Sequence, residues 1–383
     1  MNTCPHFLKT GSILIILYIQ ICLPQGIAQT RFTWAAQTGN WQTAANWAPT
    51  GVPGANDTAV VNSGIVTAAA PVSVSGLELG DAEISGAKLT ILSIFRWNNG
   101  RLSGSGSADS TILGNDAEMI IDGTSQRELV ARTLMLRGDS RFSSNGDIRL
   151  GNGAILVNDT NRLFEWNGSG DIGTLDGSGK FINLGTIERD NNSSTNLINV
   201  LFEHRGTLIN NSGELRLMAG SDMRNATLQI AENTVLRISN AGHLLNDVSV
   251  SGGGEFRVQD AEIELTGNGL RIENDATLRI ATSGSRISGN GTLENFGSIE
   301  WLRGTISGDG EFVNHSQIRF SGESATNLEF RILSNNGNIK WLDNTDLRIS
   351  DNAKIINNLS GTIEIVKNAN IFFREPDGGS IVN

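Results

Sequence analysis

The chain of 383 residues contains few Cys, Tyr and Pro residues, and their positions limit the possible fold classes. Its 2 Cys and 1 Tyr are Cys4, Cys22 and Tyr18, which excludes a disulfide scaffold or a thiolate zinc site in the rest of the chain. Of its 6 Pro, none lies between Pro71 and Pro376. Because this long stretch is rich in Ile, Leu, Val and Phe, its composition argues against disorder.

Residues 1–28 are organised like a secretory signal peptide. Lys9 supplies positive charge, an apolar run spans 13–23, and the segment ends at the small residue Ala28. The run is shorter than the ~20 residues that a helix needs to cross a bilayer. We therefore expect a secreted or cell-surface protein with no transmembrane segment in its mature chain.

The charge of the chain is acidic, with 40 Asp and Glu against 29 Lys and Arg. Removal of residues 1–28 takes away one Lys and no acid, so the net charge changes from −11 to −12. The sequence also spreads its Arg residues singly. Since nucleic-acid phosphates need clustered cations, we do not expect a nucleic acid as partner.

Residues 29–71 form a distinct segment that contains three of the 7 Trp, namely Trp34, Trp41 and Trp47. Two turn-forming clusters precede an apolar stretch, which predicts a compact N-terminal cap leading into a sheet. Because large aromatic side chains usually anchor packing, we expect these Trp to fill the core of the cap. The alternative is a sugar-stacking platform, which makes the three Trp the candidate carbohydrate-binding residues.

The remainder, residues 72–383, contains repeats. Segment 287–301 recurs as 306–320, with the same offset at every matched position, and 175–187 is an earlier copy. A second pattern, Trp-x-x-Gly-x-[Leu/Ile]-Ser-Gly-x-Gly, occurs at 97–106 and at 301–310. A repeat of about this length, broken by Gly and Asn, is typical of a β-solenoid.

Between the glycines, aliphatic residues occupy every second position, as in 227–230, 235–238 and 277–280. This period directs Leu and Ile to one side of a strand and Arg, Gln and Glu to the other. We predict an all-β fold, a parallel β-helix with coils of about 19–20 residues, roughly 15 coils in number. Interior strands pair on both edges and exclude Pro. Corner Asn residues are expected to stack as ladders, and the main structural rival is a β-sandwich.

Residues 34–58 contain five short elements in the order found at the start of many bacterial secreted repeat proteins. The elements are Trp, Gly-Asn-Trp, Asn-Trp, Val-Pro-Gly and Asp-Thr. The repeats resemble the passenger regions of autotransporter and filamentous-haemagglutinin-like surface proteins. The resemblance covers nearly all of the mature chain. It implies a right-handed parallel β-helix that presents an adhesive or structural surface. The membrane-translocating barrel of an autotransporter is absent from this sequence, which leaves the export route open.

An enzyme is the second hypothesis, since β-helices also carry polysaccharide lyases and glycoside hydrolases. Hydrolysis of a glycosidic bond needs two carboxylates roughly 5–10 Å apart. Asp171, Asp176, Glu188 and Asp190 are close in sequence, but similar acids recur along the chain at outward positions. We therefore assign no catalytic residue.

The sequence contains no complete metal-binding or cofactor-binding motif. His204, His243 and His315 each stand alone near a turn, without a second ligand at metal-binding spacing, so solvated or corner positions are favoured. Calcium-loop fragments at 176–179 and 309–310 are incomplete. We expect no metal and no cofactor.

The sequence thus predicts an exported structural or adhesin-like β-solenoid that binds an extracellular polysaccharide or a surface protein. The last residues, 378–383, look like the start of another coil, so we expect either a fragment of a longer protein or a truncated array.

Overall fold

A computed structural model describes residues 29–106, 109–190, 194–374 and 377–383. The predicted signal peptide, residues 1–28, lies outside the described residues. The described part forms 42 β-strands and one 3-10 turn, Ala44–Asn46.

The first strands are β1 Arg31–Trp34, β2 Thr38–Asn40, β3 Trp47–Ala48, β4 Thr58–Ala68, β5 Val72–Gly86, β6 Leu89–Trp97, β7 Gly100–Ser103, β8 Ser110–Leu113, β9 Glu118–Ile121, β10 Arg127–Val130, β11 Thr133–Leu136, β12 Asp139–Phe142, β13 Ile148–Gly151 and β14 Ile155–Asn158. The middle strands are β15 Leu163–Trp166, β16 Ile172–Thr174, β17 Lys180–Asn183, β18 Thr186–Arg189, β19 Thr195–Ile198, β20 Leu201–His204, β21 Thr207–Asn210, β22 Glu214–Leu217, β23 Ser221–Ile230, β24 Val235–Ser239, β25 Gly242–Ser251, β26 Glu255–Gln259, β27 Glu262–Ile272 and β28 Thr277–Ile280. The last strands are β29 Arg286–Gly289, β30 Leu293–Asn295, β31 Ser298–Trp301, β32 Gly304–Ile306, β33 Glu311–Asn314, β34 Gln317–Phe320, β35 Thr326–Glu329, β36 Ile332–Asn335, β37 Asn338–Trp341, β38 Leu347–Ser350, β39 Lys354–Asn357, β40 Thr362–Ile365, β41 Ile371–Phe373 and β42 Ser380–Val382.

The strands stack into a parallel β-solenoid of about 15 turns, with about 21 residues per turn. From β7 onward each coil has three sides, which we call A, B and C. Side A runs from β7 through β10 and β22 to β40, side B from β8 to β41, and side C from β9 to β42. Strands β23, β25 and β27 each continue from side B into side C. In the described residues only the β1–β3 pairing is antiparallel, which excludes a sandwich of two antiparallel sheets.

The repeat of segment 287–301 in 306–320 is one complete coil, as predicted. Ile287 pairs with Ile306 on the next coil, Leu293 with Phe312, and Ile299 with Ile318, all at the offset seen in the sequence. Other coils are longer, however. Ser140 pairs with Phe164, and Gly100 pairs with Arg127, so the turns between their strands contain additional residues.

The sequence repeats also recur at different sides of the solenoid. Phe181 lies in β17 on side B, whereas its counterpart Leu293 lies in β30 on side C. Likewise Trp97 ends a side-C strand and Trp301 ends a side-A strand. Each motif therefore specifies two strands and the turn between them. This unit is not restricted to one side of the solenoid.

Inward side chains from all three sides form one continuous core that is closed to solvent. Aromatic residues stack within it from coil to coil: Phe320 has ring-centroid distances of 5.3 Å to Trp301 and 4.4 Å to Trp341. Trp97 and Trp166 are also fully buried, so the Trp residues of the repeats belong to this core. Stacking coils bury apolar area that one coil alone could not bury.

Asparagine ladders connect successive coils, as predicted. At the corner between sides C and A, each Asn donates from Nδ2 to Oδ1 of the next at 2.7 Å; the members are Asn295, Asn314, Asn335, Asn357 and Asn383. A second ladder, between sides B and C, joins Asn158, Asn183 and His204. Buried amides need such partners, and the stacked register supplies them.

Four arginines lie inside the solenoid, which corrects the expectation that Arg side chains face outward. They are fully buried and comprise Arg127, Arg132, Arg189 and Arg331. Their guanidinium groups donate mainly to backbone carbonyls at the corners; Arg331, for example, bonds to the oxygens of Ser307 and Gly289 at 2.8 and 2.6 Å. Desolvation lowers the pKa of all four to about 10, and they remain charged at neutral pH.

Candidate functional site: a polar groove on the side of the solenoid

The candidate site is a groove of about 500 Å³ where strands β23, β25 and β27 turn from side B into side C. We call it the side groove. Its lining comprises Asn225, Ala226, Thr227, Asp247, Val248, Ser249, Asn268, Arg271, Thr292 and Glu294. Two further grooves of about 500 Å³ lie elsewhere on the surface, and each also combines Arg with Glu or Asp.

Left-handed backbone produces the bend that forms the side groove. Asn225 and Asp247 have φ values of 49° and 58°, and Gly267 and Gly269 have 57° and 63°. Asn, Asp and Gly are the residue types that adopt this conformation most readily. Opposite Asp247 the next coil has three residues, 267–269, so a bulge carries Asn268 outward into the groove.

A network of charged side chains forms one wall. Arg271 donates to Glu273 and to Glu294 at 2.7 Å each. Glu294 also lies 3.2 Å from Nε2 of His315. The hydrogen bond to Glu273 is the main cause that raises the pKa of Arg271. The network therefore holds the Glu294 carboxylate between two positively polarised groups.

An aromatic pair outside the groove lining adjoins this network. Phe296 and His315 stack with centroids 4.3 Å apart, and the Arg271 guanidinium lies 4.1 Å from the Phe296 ring centre. Since Arg271 comes from the preceding coil and His315 from the following one, both faces of the Phe296 ring are covered. The pair thus connects coils, and the open part of the groove is polar.

The three Trp of the cap pack against one another. Trp34, Trp41 and Trp47 are buried, and Trp47 makes edge contacts with the other two at centroid distances of 5.0 and 4.9 Å. Nε1 of Trp47 donates to the Trp41 carbonyl at 2.8 Å. This packing favours the core role, and a carbohydrate-binding role for the three Trp stays a prediction.

The four acids considered for catalysis lie at separate places. Asp171 precedes β16 and Asp176 follows it, whereas Glu188 lies in β18 on side C and Asp190 follows that strand. Desolvation, followed by repulsion from Asp147, raises the pKa of Asp171, although an N–H bond from Leu197 opposes it. Asp176 is exposed and accepts hydrogen bonds from Ser178. None of the four lines the side groove.

The histidines divide between surface and core. The sequence favours solvated or corner positions for the histidines. His315 lies at an exposed corner and His204 at the corner between sides B and C, where it is buried, whereas His243 is buried within strand β25. Nδ1 of His204 pairs with Asn183 at 3.0 Å, and Nδ1 of His243 pairs with Ser221 at 2.9 Å. Within the described part of the chain, no three His, Cys, Asp or Glu side chains gather as metal ligands would.

The groove offers amide, hydroxyl, carboxylate and guanidinium groups above the small apolar residues Ala226 and Val248. Such a lining is suited to hydroxyl-rich ligands. The composition of the groove was not evident from the sequence, because its residues come from four coils. The Gly-Asn-Gly run at 267–269 is the one local indication of the bulge.

Comparison with known proteins finds no matching family model, no matching curated protein and no matching solved structure. No helix in the described ranges combines the length and the apolar character needed to cross a membrane.

Proposed function

We propose that the chain is an exported, adhesin-like or structural β-solenoid that binds carbohydrate, protein or matrix along its outer surface without catalysis. The observation that carries the proposal is the side groove, a polar cleft built from four coils. Its donors and acceptors suit the hydroxyl groups of a glycan, and the long parallel array supports a role in presenting that surface.

Export is part of this proposal. It rests on the charge, apolar run and small terminal residue of segment 1–28, together with the resemblance of the chain to bacterial secreted repeat proteins. Secretion is tested by expressing the chain with and without residues 1–28 and measuring the protein outside the cytoplasm. Equal distributions would contradict the export proposal.

Binding is tested by applying the purified protein to arrays of immobilised polysaccharides and matrix proteins. We expect retention on at least one neutral glycan, weakened by Asn268→Ala in the groove. Asn199→Ala is the matched control, because Asn199 is exposed and lies outside the groove. Failure to bind any surface, or equal loss in both variants, would contradict the proposed site.

A carbohydrate-active enzyme is the alternative, and one observation favours it. Asp247 and Glu294 both line the side groove, and glycoside hydrolysis uses two carboxylates. Arg271 donates to Glu294 at 2.7 Å and His315 lies 3.2 Å from it, so Glu294 is a held carboxylate and Asp247 is the second carboxylate of this alternative.

Turnover separates the two functions. A polysaccharide depolymerisation screen is expected to show no product for the binding protein. Product formation that is abolished by both Glu294→Gln and Asp247→Asn would replace the binding proposal with a hydrolase.

A further inference from the structure

Arginines that are far apart in sequence form a column on side A. Arg216, Arg237, Arg257 and Arg279 occupy the same outward position on four successive coils. The register continues through Glu300 to Arg319 and Lys340. We call these residues, from Arg216 to Lys340, the cation column. With strands ~4.8 Å apart, its six steps extend about 29 Å along the solenoid.

Carboxylates neutralise the cation column only in part. Glu214 lies 3.0 Å from both Arg216 and Arg237, and Glu255 pairs with Arg257 and Arg279. Further along, Glu300 pairs with Arg279 and Glu364 with Lys340. Six cations thus meet four carboxylates.

One cation is left unpaired by these contacts. In the part of the chain that the structure describes, Arg319 has no ion-pair partner. Its neighbours in register are Glu300, which pairs with Arg279, and Lys340, which pairs with Glu364. An anion that bound beside Arg319 would therefore contact a guanidinium group that none of these carboxylates neutralises.

The column retains donors for a ligand. A guanidinium has five N–H donors, and the hydrogen bonds and ion pairs of the first four arginines engage only one or two nitrogens each. Their side chains are between 13 % and 33 % exposed, so part of each side chain is accessible to solvent. Desolvation and the like charges of Arg216 and Arg257 lower the pKa of Arg237, while Glu214 opposes them. An added anion would relieve this repulsion.

We infer that the cation column is a binding site for a linear acidic polysaccharide, one that carries carboxylate or sulfate groups along a single chain. The column is one residue wide and runs along the solenoid axis, so it matches a slim polymer with charges in a row. Anionic groups spaced about 5 or 10 Å apart would meet every coil or every second coil. A nucleic acid is disfavoured, because single-stranded nucleic acids are also bound by base stacking on aromatic side chains and the cation column contains no aromatic residue.

Opposite effects of Arg and Glu substitutions test this inference. We expect the purified protein to bind polygalacturonate or dextran sulfate and not neutral dextran, with affinity that falls as salt rises. Arg237→Gln with Arg257→Gln should weaken binding about tenfold. Glu214→Gln with Glu255→Gln should strengthen it, whereas a merely structural network would lose binding in both double variants.

Arg348→Gln is the matched control, because Arg348 faces outward on side B. Unchanged affinity in the Arg237 and Arg257 double variant, with the fold intact by circular dichroism, would overturn the inference. So would equal, column-dependent binding of single-stranded DNA, which would show a general polyanion site. The site is independent of the side groove: Asn268→Ala should leave acidic-polymer binding unchanged, so either proposal can fail alone.

Discussion

Replacing His204 with Asn should remove about half of the acid sensitivity that the two buried histidines confer on the fold. His204 is fully buried, stacks on Phe202 at 5.3 Å, and accepts a hydrogen bond from Asn183 at Nδ1. An Asn at this position would continue the ladder with an uncharged acceptor, as Asn183 does for Asn158. The substitution therefore removes a titrating group and keeps the hydrogen bond.

The magnitude follows from the pKa values. Desolvation is the main cause that lowers the pKa of His204 and His243 from 6.5 to about 4. Between these values the unfolded chain binds more protons than the folded chain, so stability falls as pH decreases from 6.5 to 4. For each His the loss is about 2 kcal/mol at pH 5 and about 3 kcal/mol when complete.

The assay is urea unfolding at pH 8 and pH 5. The stability of the wild type should fall between these conditions by about 2 kcal/mol more than that of His204→Asn. His204→Phe is a control that also removes the titration but takes the ring acceptor from Asn183, whose Nδ2 keeps only the backbone oxygens of Gly185 and Thr207. It should be less stable than His204→Asn at both pH values, with the same reduced pH dependence. If both variants kept the wild-type pH dependence, the burial argument would be refuted.

Three further substitutions test the interior. Arg331→Met leaves the carbonyls of Ser307 and Gly289 without their donor and should cost about 3 kcal/mol or more in urea unfolding; an unchanged midpoint would contradict the role of the buried guanidinium. Asn314→Ala interrupts the ladder and should cost about 2 kcal/mol by the same measurement, whereas equal stability would mean that water replaces the amide. Gly308→Ala should cost about 1–3 kcal/mol in thermal unfolding, because φ is 89° and a Cβ would collide with the Gly289 carbonyl; Gly242→Ala, with open space around it, should be neutral.

The solenoid could be predicted because its requirements are local. Alternating strands, corner Gly and Asn, and the missing Pro are all visible in short windows. The predicted Asn ladders follow from the same logic, since a buried amide at one corner has the next coil's amide as its partner.

The cation column could not be predicted, because its register depends on the length of every intervening turn. Coil length varies along the solenoid, from the short coil that joins Ile299 to Ile318 to the long one that joins Gly100 to Arg127. Arg216 and Arg279 therefore have no recognisable relation in sequence. The sequence shows single arginines, and stacking turns them into the cation column. The side groove escaped prediction for the same reason.

The prediction that Arg side chains face outward was wrong for the buried arginines for a different reason. Alternation assigned Arg to the outside, yet Arg132 and Arg331 point inward after the left-handed residues Ala131 and Phe330, which reset the alternation. Both lie in a Leu-x-x-Arg-x-Leu pattern, at 129–134 and 328–333. That spacing is the signal that would have identified them.

Disulfide cross-linking tests the stacked register most directly, because residues 29–383 contain no Cys. Arg319 and Lys340 are paired on neighbouring coils of side A, and strands ~4.8 Å apart bring their Cα atoms within disulfide range. Arg319→Cys with Lys340→Cys should oxidise to an intramolecular disulfide. Arg319→Cys with Asn338→Cys, two residues out of register, should remain reduced. Equal oxidation of both pairs, or of the second pair alone, would contradict the parallel register on which the groove and the cation column depend.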